Sequence, residues 1–205
     1  MRVKICGLNP IRDVQLCIDQ KVDFLGFIFY EKSPRNIEIN DVKHLLTYNK
    51  KNSFFVAVTV NPTNEFIERI ILNNFDYIQL HGSETNQRVK EIKQKYNLKV
   101  IKAIKIKSEG DIHNYKKFTE ADIVLFDTPG MEKSIEFPRD LITKLPKGIK
   151  YALAGSISED NVEIISKLGV NFFDISSNLE NEIGYKDHLK VKKFLKKIKK
   201  IDVKN

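Results

Sequence analysis

A few side chains in this sequence have the type and placement for proton transfer or anion binding, and they begin almost at the first residue. Arg2 to Leu8 reads Arg-Val-Lys-Ile-Cys-Gly-Leu. As a strand it alternates with period two, so Val3 and Ile5 point one way and Arg2, Lys4 and Cys6 the other. A thiol beside a cation ionises more easily, and Gly7 lets the chain turn sharply just after it. Cysteine is also a common buried strand residue, so Cys6 needs partners to count as chemistry. Asp127 closes the run Leu125-Phe126-Asp127-Thr128-Pro129-Gly130, either as a turn cap or as an acid. An acid and a base facing each other across a substrate suit a proton-shuttling isomerisation.

Other places could take a charge. Leu153-Ala154-Gly155-Ser156 and Asp174-Ile175-Ser176-Ser177-Asn178 each end an apolar run in small residues, over which backbone N–H groups can reach a phosphate; the same residues are also ordinary turn chemistry. Arg35, in Lys32-Ser33-Pro34-Arg35, could pair with a carboxylate or phosphate, although alone it reads as a solvated loop arginine. His81 is an inward ring, either a binding group or a satisfied core histidine.

These residues need elements to position them. Strand-like runs recur at Val3–Cys6, Phe24–Phe29, Phe54–Val60, Tyr77–His81, Lys99–Ile104, Ile123–Asp127, Tyr151–Gly155 and Phe172–Ser176. Helical patterns fall between and after them, near Pro10–Gln20, Asp41–Tyr48, Asn64–Asn73, Glu84–Tyr96, Glu109–Phe118, Pro138–Lys144, Glu159–Lys167 and Asp187–Ile201, with Ser158 as an N-cap of the seventh helix. Such alternation implies parallel strands with right-handed crossovers. The expected fold is α/β, a (β/α)8 TIM barrel forming one domain over residues 1–205, with an amphipathic C-terminal helix over about 187–201. Leu125 and Asp127, Asp174 and Ser176, and Gln79 and His81 turn inward, while Val124, Phe126, Phe173, Ile175, Ile78 and Leu80 turn toward the helices. Polar groups therefore gather inside the carboxyl ends of the strands, where sites on this barrel sit, and the loops after its seventh and eighth strands commonly hold phosphate.

Composition excludes several classes. The 205 residues are 41% hydrophobic and 30% charged, enough for a full core. No apolar run approaches the ~20 residues of a membrane span, and no leader precedes the first strand, so the expectation is a cytoplasmic protein. Cys6 and Cys17 make no disulfide framework and no Cys/His spacing suggests a metal site; Cys17 shares a helical stripe with Val14 and Ile18. The net charge of +8 comes largely from Lys190, Lys192, Lys193, Lys196, Lys197, Lys199 and Lys200, interleaved with Leu189, Val191, Phe194, Leu195, Ile198 and Ile201. That is the solvated face of an amphipathic helix rather than a nucleic-acid patch, which would carry interleaved aromatics. A basic surface still attracts anionic metabolites.

The residues together resemble the phosphoribosylanthranilate isomerase family of tryptophan biosynthesis. The resemblance rests on Lys4-Ile5-Cys6-Gly7-Leu8, Gly26-Phe27-Ile28-Phe29, Lys32-Ser33-Pro34-Arg35, Val60-Asn61, Gln79-Leu80-His81-Gly82 and Phe126-Asp127-Thr128. It continues through Leu153-Ala154-Gly155, Asn161-Val162, Asp174, Ser176-Ser177, Glu180, Gly184 and Lys186-Asp187. It implies an Amadori rearrangement of N-(5-phosphoribosyl)anthranilate into 1-(2-carboxyphenylamino)-1-deoxyribulose 5-phosphate. Asp127 would then be the general acid on the furanose oxygen and Cys6 the general base at C2. Arg35, His81 and Asp174 would touch the substrate, Arg35 at its anthranilate end, and Gly155, Ser156, Ser176, Ser177 and Asn178 would hold its phosphate.

The resemblance calls for no metal or organic cofactor. It implies a phosphorylated sugar–anthranilate as the only partner, without nucleic acid or membrane, on a monomer or homodimer. Three stretches depart from the family pattern. Ser156 and Asn178 stand where glycines are usual, and Pro129-Gly130-Met131-Glu132-Lys133-Ser134 with Phe137-Pro138 replaces a glycine-rich run before an aromatic-Asp pair. The rival expectations are another phosphosugar enzyme on the same barrel and a non-catalytic binding protein. An indole-forming synthase would need a strand-borne lysine, for which Lys102 is the candidate.

Overall fold

The computed structural model describes residues 1–127 and 139–203. Eight parallel strands close on themselves in sequence order: β1 (Arg2–Cys6), β2 (Phe24–Phe29), β3 (Phe54–Thr59), β4 (Tyr77–Leu80), β5 (Lys99–Lys105), β6 (Ile123–Asp127), β7 (Tyr151–Ala154) and β8 (Phe172–Ile175). The helices are α1 (Ile11–Asp19), α2 (Asn64–Leu72), α3 (Asn86–Tyr96), α4 (Glu109–Ile112), α5 (Arg139–Thr143), α6 (Val162–Lys167) and α7 (His188–Asp202). A small antiparallel hairpin, β9 (Glu180–Glu182) and β10 (Tyr185–Lys186), follows β8. The expected barrel is present, and the inward and outward strand faces fall as the alternation requires.

Two cores result. The outward faces and the helices share one, including Val3, Ile5, Val14, Cys17, Ile18, Ile78, Leu80, Phe126 and Phe173. The lumen holds the other, from Phe24, Tyr77 and Phe172 to Val56, Ile101, Leu125 and Ala152. Phe24 stacks on Phe172 at 4.9 Å between centroids and meets Tyr77 edge-on at 5.4 Å. These rings fill the amino-terminal mouth, so the lumen is a packed core. Polar inward groups are left for the other end.

Register at the amino-terminal end is fixed by a repeated device. Asp23, Asp76 and Asp122, just before β2, β4 and β6, accept hydrogen bonds from the backbone N–H of Val3, Phe55 and Val100 on the strand before. The N···O distances are 2.8, 2.7 and 2.8 Å. A slip of one residue in any of these pairs would leave a carboxylate without its donor and turn the apolar face outward.

Where the helices differ from expectation, local chemistry explains it. Only a 3₁₀ turn, Lys43–Leu45, forms in the 41–48 region; buried Val42 and Leu45 are three residues apart, the period of that turn. The expected Glu109–Phe118 helix divides into α4 and a 3₁₀ segment, His113–Lys117, because among its residues only Ile112 is buried, too small an apolar face to hold a continuous helix. The seventh helix begins at Val162 with Asn161 in the N-cap position, not Ser158. Asn161 accepts from Ser158 N–H at 2.9 Å and donates to the Ser156 carbonyl at 2.8 Å, tying that turn together. On α7, Val191, Phe194, Leu195, Ile198 and Ile201 are buried, but Leu189 is 69% exposed and leaves the apolar stripe. Its N-cap Asp187 accepts from Leu189 and Lys190 N–H. No helix among the described residues is long and apolar enough to cross a membrane.

Lys102 points away from the lumen, since its neighbours Ile101 and Ala103 face inward. Its buried Nζ donates to Glu84 Oε2 and the Gly82 carbonyl at 2.8 Å, and to the Leu80 carbonyl at 3.2 Å. Glu84 in turn accepts from the N–H groups of Asn61 and Gly82. Lys102 is therefore a clamp on the loops after β3 and β4, which removes the lysine an indole-forming synthase would need. Lys102→Met leaves the Glu84 charge buried without its cation and is expected to lower stability by about 3–5 kcal/mol. Urea denaturation checks this, and a loss below ~1 kcal/mol would show the pair dispensable.

Candidate active site

The carboxyl end of the barrel collects the charged inward groups. Lys4 pairs in register with Asp174 across the β1–β8 seam. Its Nζ donates to Asp174 Oδ2 at 2.8 Å, with both side chains buried. Burial opposes both charges. In Lys4 the attraction of Asp174 and Cys6 outweighs it and holds the ammonium above its ordinary value. Asp174 is pushed up by burial, with nearby Asp127 adding to the effect and Lys4 opposing it. Asp174 Oδ1 is buried and takes no hydrogen bond among the described residues.

Cys6 lies one pleat above Lys4, opposite Gly26 of β2. A Cβ at Gly26 would stand 2.8 Å from Cys6 Sγ and 3.1 Å from Lys4 Nζ, so the missing side chain makes room for the thiol and the ammonium together. Burial pushes the Cys6 thiol up, against the pull of Lys4 and Lys186. The expected help from Lys4 is real in direction, but its charge is largely answered by Asp174. Gly7, at φ +75°, then turns the chain; a Cβ there would sit 2.6 Å from Arg35 Cδ. The arginine stem thus lies directly on the turn after the cysteine.

On the other side, Asp127 Oδ2 is 3.1 Å from His81 Nε2, and His81 Nδ1 is 3.2 Å from Gln79 Nε2. An amide N–H of Gln79 donating to Nδ1 sets the ring to carry its own hydrogen on Nε2, where it donates to Asp127. In register, Asp174 faces Lys4 of β1 on one side and Ala154 of β7 on the other, with Asp127 of β6 next to Ala154, so the two halves meet around it. His81 is thereby placed on the carboxylate of Asp127.

The remaining positions form the rim. Gly155 and Ser156 both have positive φ, +95° and +47°, so a side chain stands at Ser156 where the backbone would favour glycine. Ser176 Oγ donates to the Cys6 carbonyl at 2.9 Å. Ser177 opens a short 3₁₀ turn, Ser177–Leu179, and Asn178 Nδ2 donates to the Ile157 carbonyl at 2.8 Å, bridging the loops after β7 and β8. Arg35 donates from Nε and Nη2 to the two oxygens of Glu180 at 2.7 Å each. Glu180, Lys186 and Gln79 had no role in the sequence reading, although all three belong to its quoted motifs. The departure over 129–134 and 137–138 lies outside the described residues. No group of three or more His, Cys, Asp or Glu among the described residues has metal-site geometry.

A family model for N-(5'-phosphoribosyl)anthranilate (PRA) isomerase matches residues 3–197. The chain belongs to this family. It is 35% identical over 202 residues to the N-(5'-phosphoribosyl)anthranilate isomerase of Rhizobium rhizogenes, covering 94% of this chain and 91% of that one. It is 34% identical over 206 residues to the enzyme of Brucella canis, covering 96% and 93%. Among solved structures, phosphoribosyl anthranilate isomerase from Thermotoga maritima superposes with a TM-score of 0.87 at 29% identity, over 98% of this chain and 99% of that one. A phosphoribosyl anthranilate isomerase in complex with reduced 1-(o-carboxyphenylamino)-1-deoxyribulose 5-phosphate gives 0.84 at 28% identity, with the same coverage.

The two thiols should separate chemically. Burial pushes Cys17 up to about 12, and Cys6 is raised above its ordinary value. Since the thiolate is the reactive form, iodoacetamide should modify Cys6 slowly near neutrality and faster as pH rises beyond the ordinary thiol range. Cys17 should stay unmodified until the protein unfolds. Peptide mass spectrometry reads both, and rapid labelling of Cys6 at neutral pH would contradict the geometry.

Proposed function

We propose that Cys6 and Asp127 are the base and acid of the family's reaction, the Amadori rearrangement of N-(5-phosphoribosyl)anthranilate to 1-(2-carboxyphenylamino)-1-deoxyribulose 5-phosphate in tryptophan biosynthesis. The chain is an isomerase; the assignment of its residues is the proposal. The observation that carries it is the register at the carboxyl mouth: Asp174 pairs with Lys4, the strand neighbour of Cys6, on one side, and on the other it shares Ala154 of β7 with Asp127, on which His81 sits.

The reaction begins when Asp127, as the acid, gives its proton to the furanose ring oxygen. The C1–O bond breaks, and the nitrogen lone pair forms the C1=N bond of a Schiff base. His81 Nε2–H remains on the carboxylate that is left. Cys6, as thiolate, takes the proton from C2, and that electron pair becomes the C1=C2 bond of an enolamine while the C1=N electrons return to nitrogen. The C2 hydroxyl then loses its proton to water and C1 gains one from water, which gives the ketone; the proton on Cys6 returns through water to Asp127, so substrate and enzyme both end proton-neutral. The iminium beside C2 makes that hydrogen acidic enough for a thiolate, and burial, which raises the thiol, also makes the thiolate a stronger base once formed.

Binding is assigned around this axis. Asp174 Oδ1 accepts from a ribose hydroxyl. Arg35 takes the anthranilate carboxylate through the part of its guanidinium outside the Glu180 pair. Gly155, Ser156, Ser176, Ser177 and Asn178 present backbone N–H groups to the phosphate; Asn178 offers only its backbone, its side chain being held by Ile157. This substrate is the partner, on a monomer or homodimer. The exposed lysines of α7 are read as a solvated face, supported by the buried stripe beneath them.

The test is turnover of phosphoribosylanthranilate, made in situ and followed by loss of its fluorescence. Cys6→Ala and Asp127→Asn should each lower kcat by about 10²–10⁴-fold with the circular dichroism of the fold unchanged. A variant that keeps more than about a tenth of wild-type kcat removes its residue from the assigned role.

A further inference from the structure

The β9–β10 hairpin carries charges that the proton transfers do not use. Glu180 Oε1 accepts from both Arg35 Nε and Lys186 Nζ at 2.7 Å, and Oε2 accepts from Arg35 Nη2 at 2.7 Å. The Lys186 ammonium is fully buried and also donates to the Ser176 carbonyl at 3.3 Å. Ser176 in turn holds the Cys6 carbonyl. Lys186 is anchored at its backbone, where its N–H donates to Asp13 Oδ2 of α1 at 2.8 Å. The Asp13 carboxylate is met on its own side by His188 at 2.9 Å and Arg12 at 3.8 Å. Gly184, at φ +85°, turns the hairpin so that it packs beside the Pro34 carbonyl, next to Arg35. One hairpin therefore grips both the arginine and the loop that holds the cysteine.

Two features set this cluster apart from a plain structural pair. An isolated loop arginine keeps its rotamer freedom; the two-point grip of Glu180 removes that freedom and fixes the guanidinium plane, with Nη1 outside the pair. Glu180 alone would also cancel the arginine's charge. Lys186 restores it, because two cations on one carboxylate leave one net positive charge at the rim, and an anion can still be drawn there. Burial opposes the Glu180 charge, but Arg35 and Lys186 outweigh it and hold the carboxyl below its usual range.

We propose that Glu180 and Lys186 are positioning residues for the substrate's aromatic carboxylate, Glu180 aiming the Arg35 guanidinium and Lys186 keeping the aimed pair cationic. This rests on the reading of Arg35 given above. Glu180→Gln tests aim: Lys186, then buried without its carboxylate, sheds its proton, so the net charge stays and the two-point grip goes. Lys186→Met tests charge, since it leaves the Arg35–Glu180 pair neutral.

Steady-state kinetics would compare phosphoribosylanthranilate with N-(5-phosphoribosyl)aniline, which lacks the carboxylate, in wild type, Arg35→Ala, Glu180→Gln, Lys186→Met and the Arg35→Ala/Glu180→Gln double variant. Each single variant is expected to raise KM for the anthranilate by about tenfold or more, with kcat within about threefold and KM for the aniline unchanged. The double variant should be no worse than Arg35→Ala, because Glu180 acts only through the arginine. If Arg35→Ala alone shows the carboxylate-dependent KM, the positioning role of Glu180 and Lys186 falls and the Arg35 reading stands. If Arg35→Ala affects both substrates alike, the Arg35 reading falls and takes this one with it. A Glu180→Gln loss that appears equally in kcat for both substrates would make the hairpin purely structural, and Lys186→Met gives the same decision independently if one variant fails to fold.

Discussion

The site hangs on one buried ion pair. Lys4 and Asp174 sit opposite each other on the first and last strands, so their hydrogen bond lies across the seam where the barrel closes. Desolvating two charges costs several kcal/mol per ion, and the pair persists only because its geometry is short and in register. Removing one partner would leave a charge buried at that seam. The pair also sets the electrostatics above it. Lys4 lies next to the Cys6 thiol but gives its hydrogen bond to Asp174, so burial outweighs its pull and raises the thiol, with a cation still beside it when it ionises.

The two ends of the barrel divide the work. At the amino-terminal mouth, aromatic rings and the three aspartates before β2, β4 and β6 fix register and exclude water. At the carboxyl mouth the same alternation brings polar residues inward, and each finds a partner from another strand or loop. Outside the barrel wall, Lys102 with Glu84 ties the loops after β3 and β4, and Lys186 with Glu180 ties the segments after β2 and β8. Rigid strands with loops clamped by buried charges suit a reaction whose steps are proton transfers over short distances.

Much of this was legible from residues. The period-two pattern of 122–127 and 172–176 predicts which side chains enter the lumen, because the pleat leaves a strand no choice once one face is apolar. The helices were less legible where their apolar face was thin. The 41–48 and 109–118 segments have helical composition, but each buries too little to hold a regular helix, and burial depends on what the barrel presents to them. At the site, Cys6 and Asp127 stood out by type and position. Glu180 and Lys186 did not, since their significance lies in partners that the fold brings to them from 145 and 10 residues away.

The sequence by itself determined the strand order, the faces of the strands and the family, because hydrophobic period and motif order are local properties read along the chain. The tertiary structure alone decided who answers whose charge. It gave Lys4 to Asp174 rather than wholly to Cys6, set His81 on Asp127, and held Arg35 by Glu180 instead of leaving it in solvent. Such pairings depend on barrel closure and loop packing, which bring residues 170 and 145 positions apart within hydrogen-bond distance. A buried charge takes whichever partner that closure supplies, and nothing local in the chain names it.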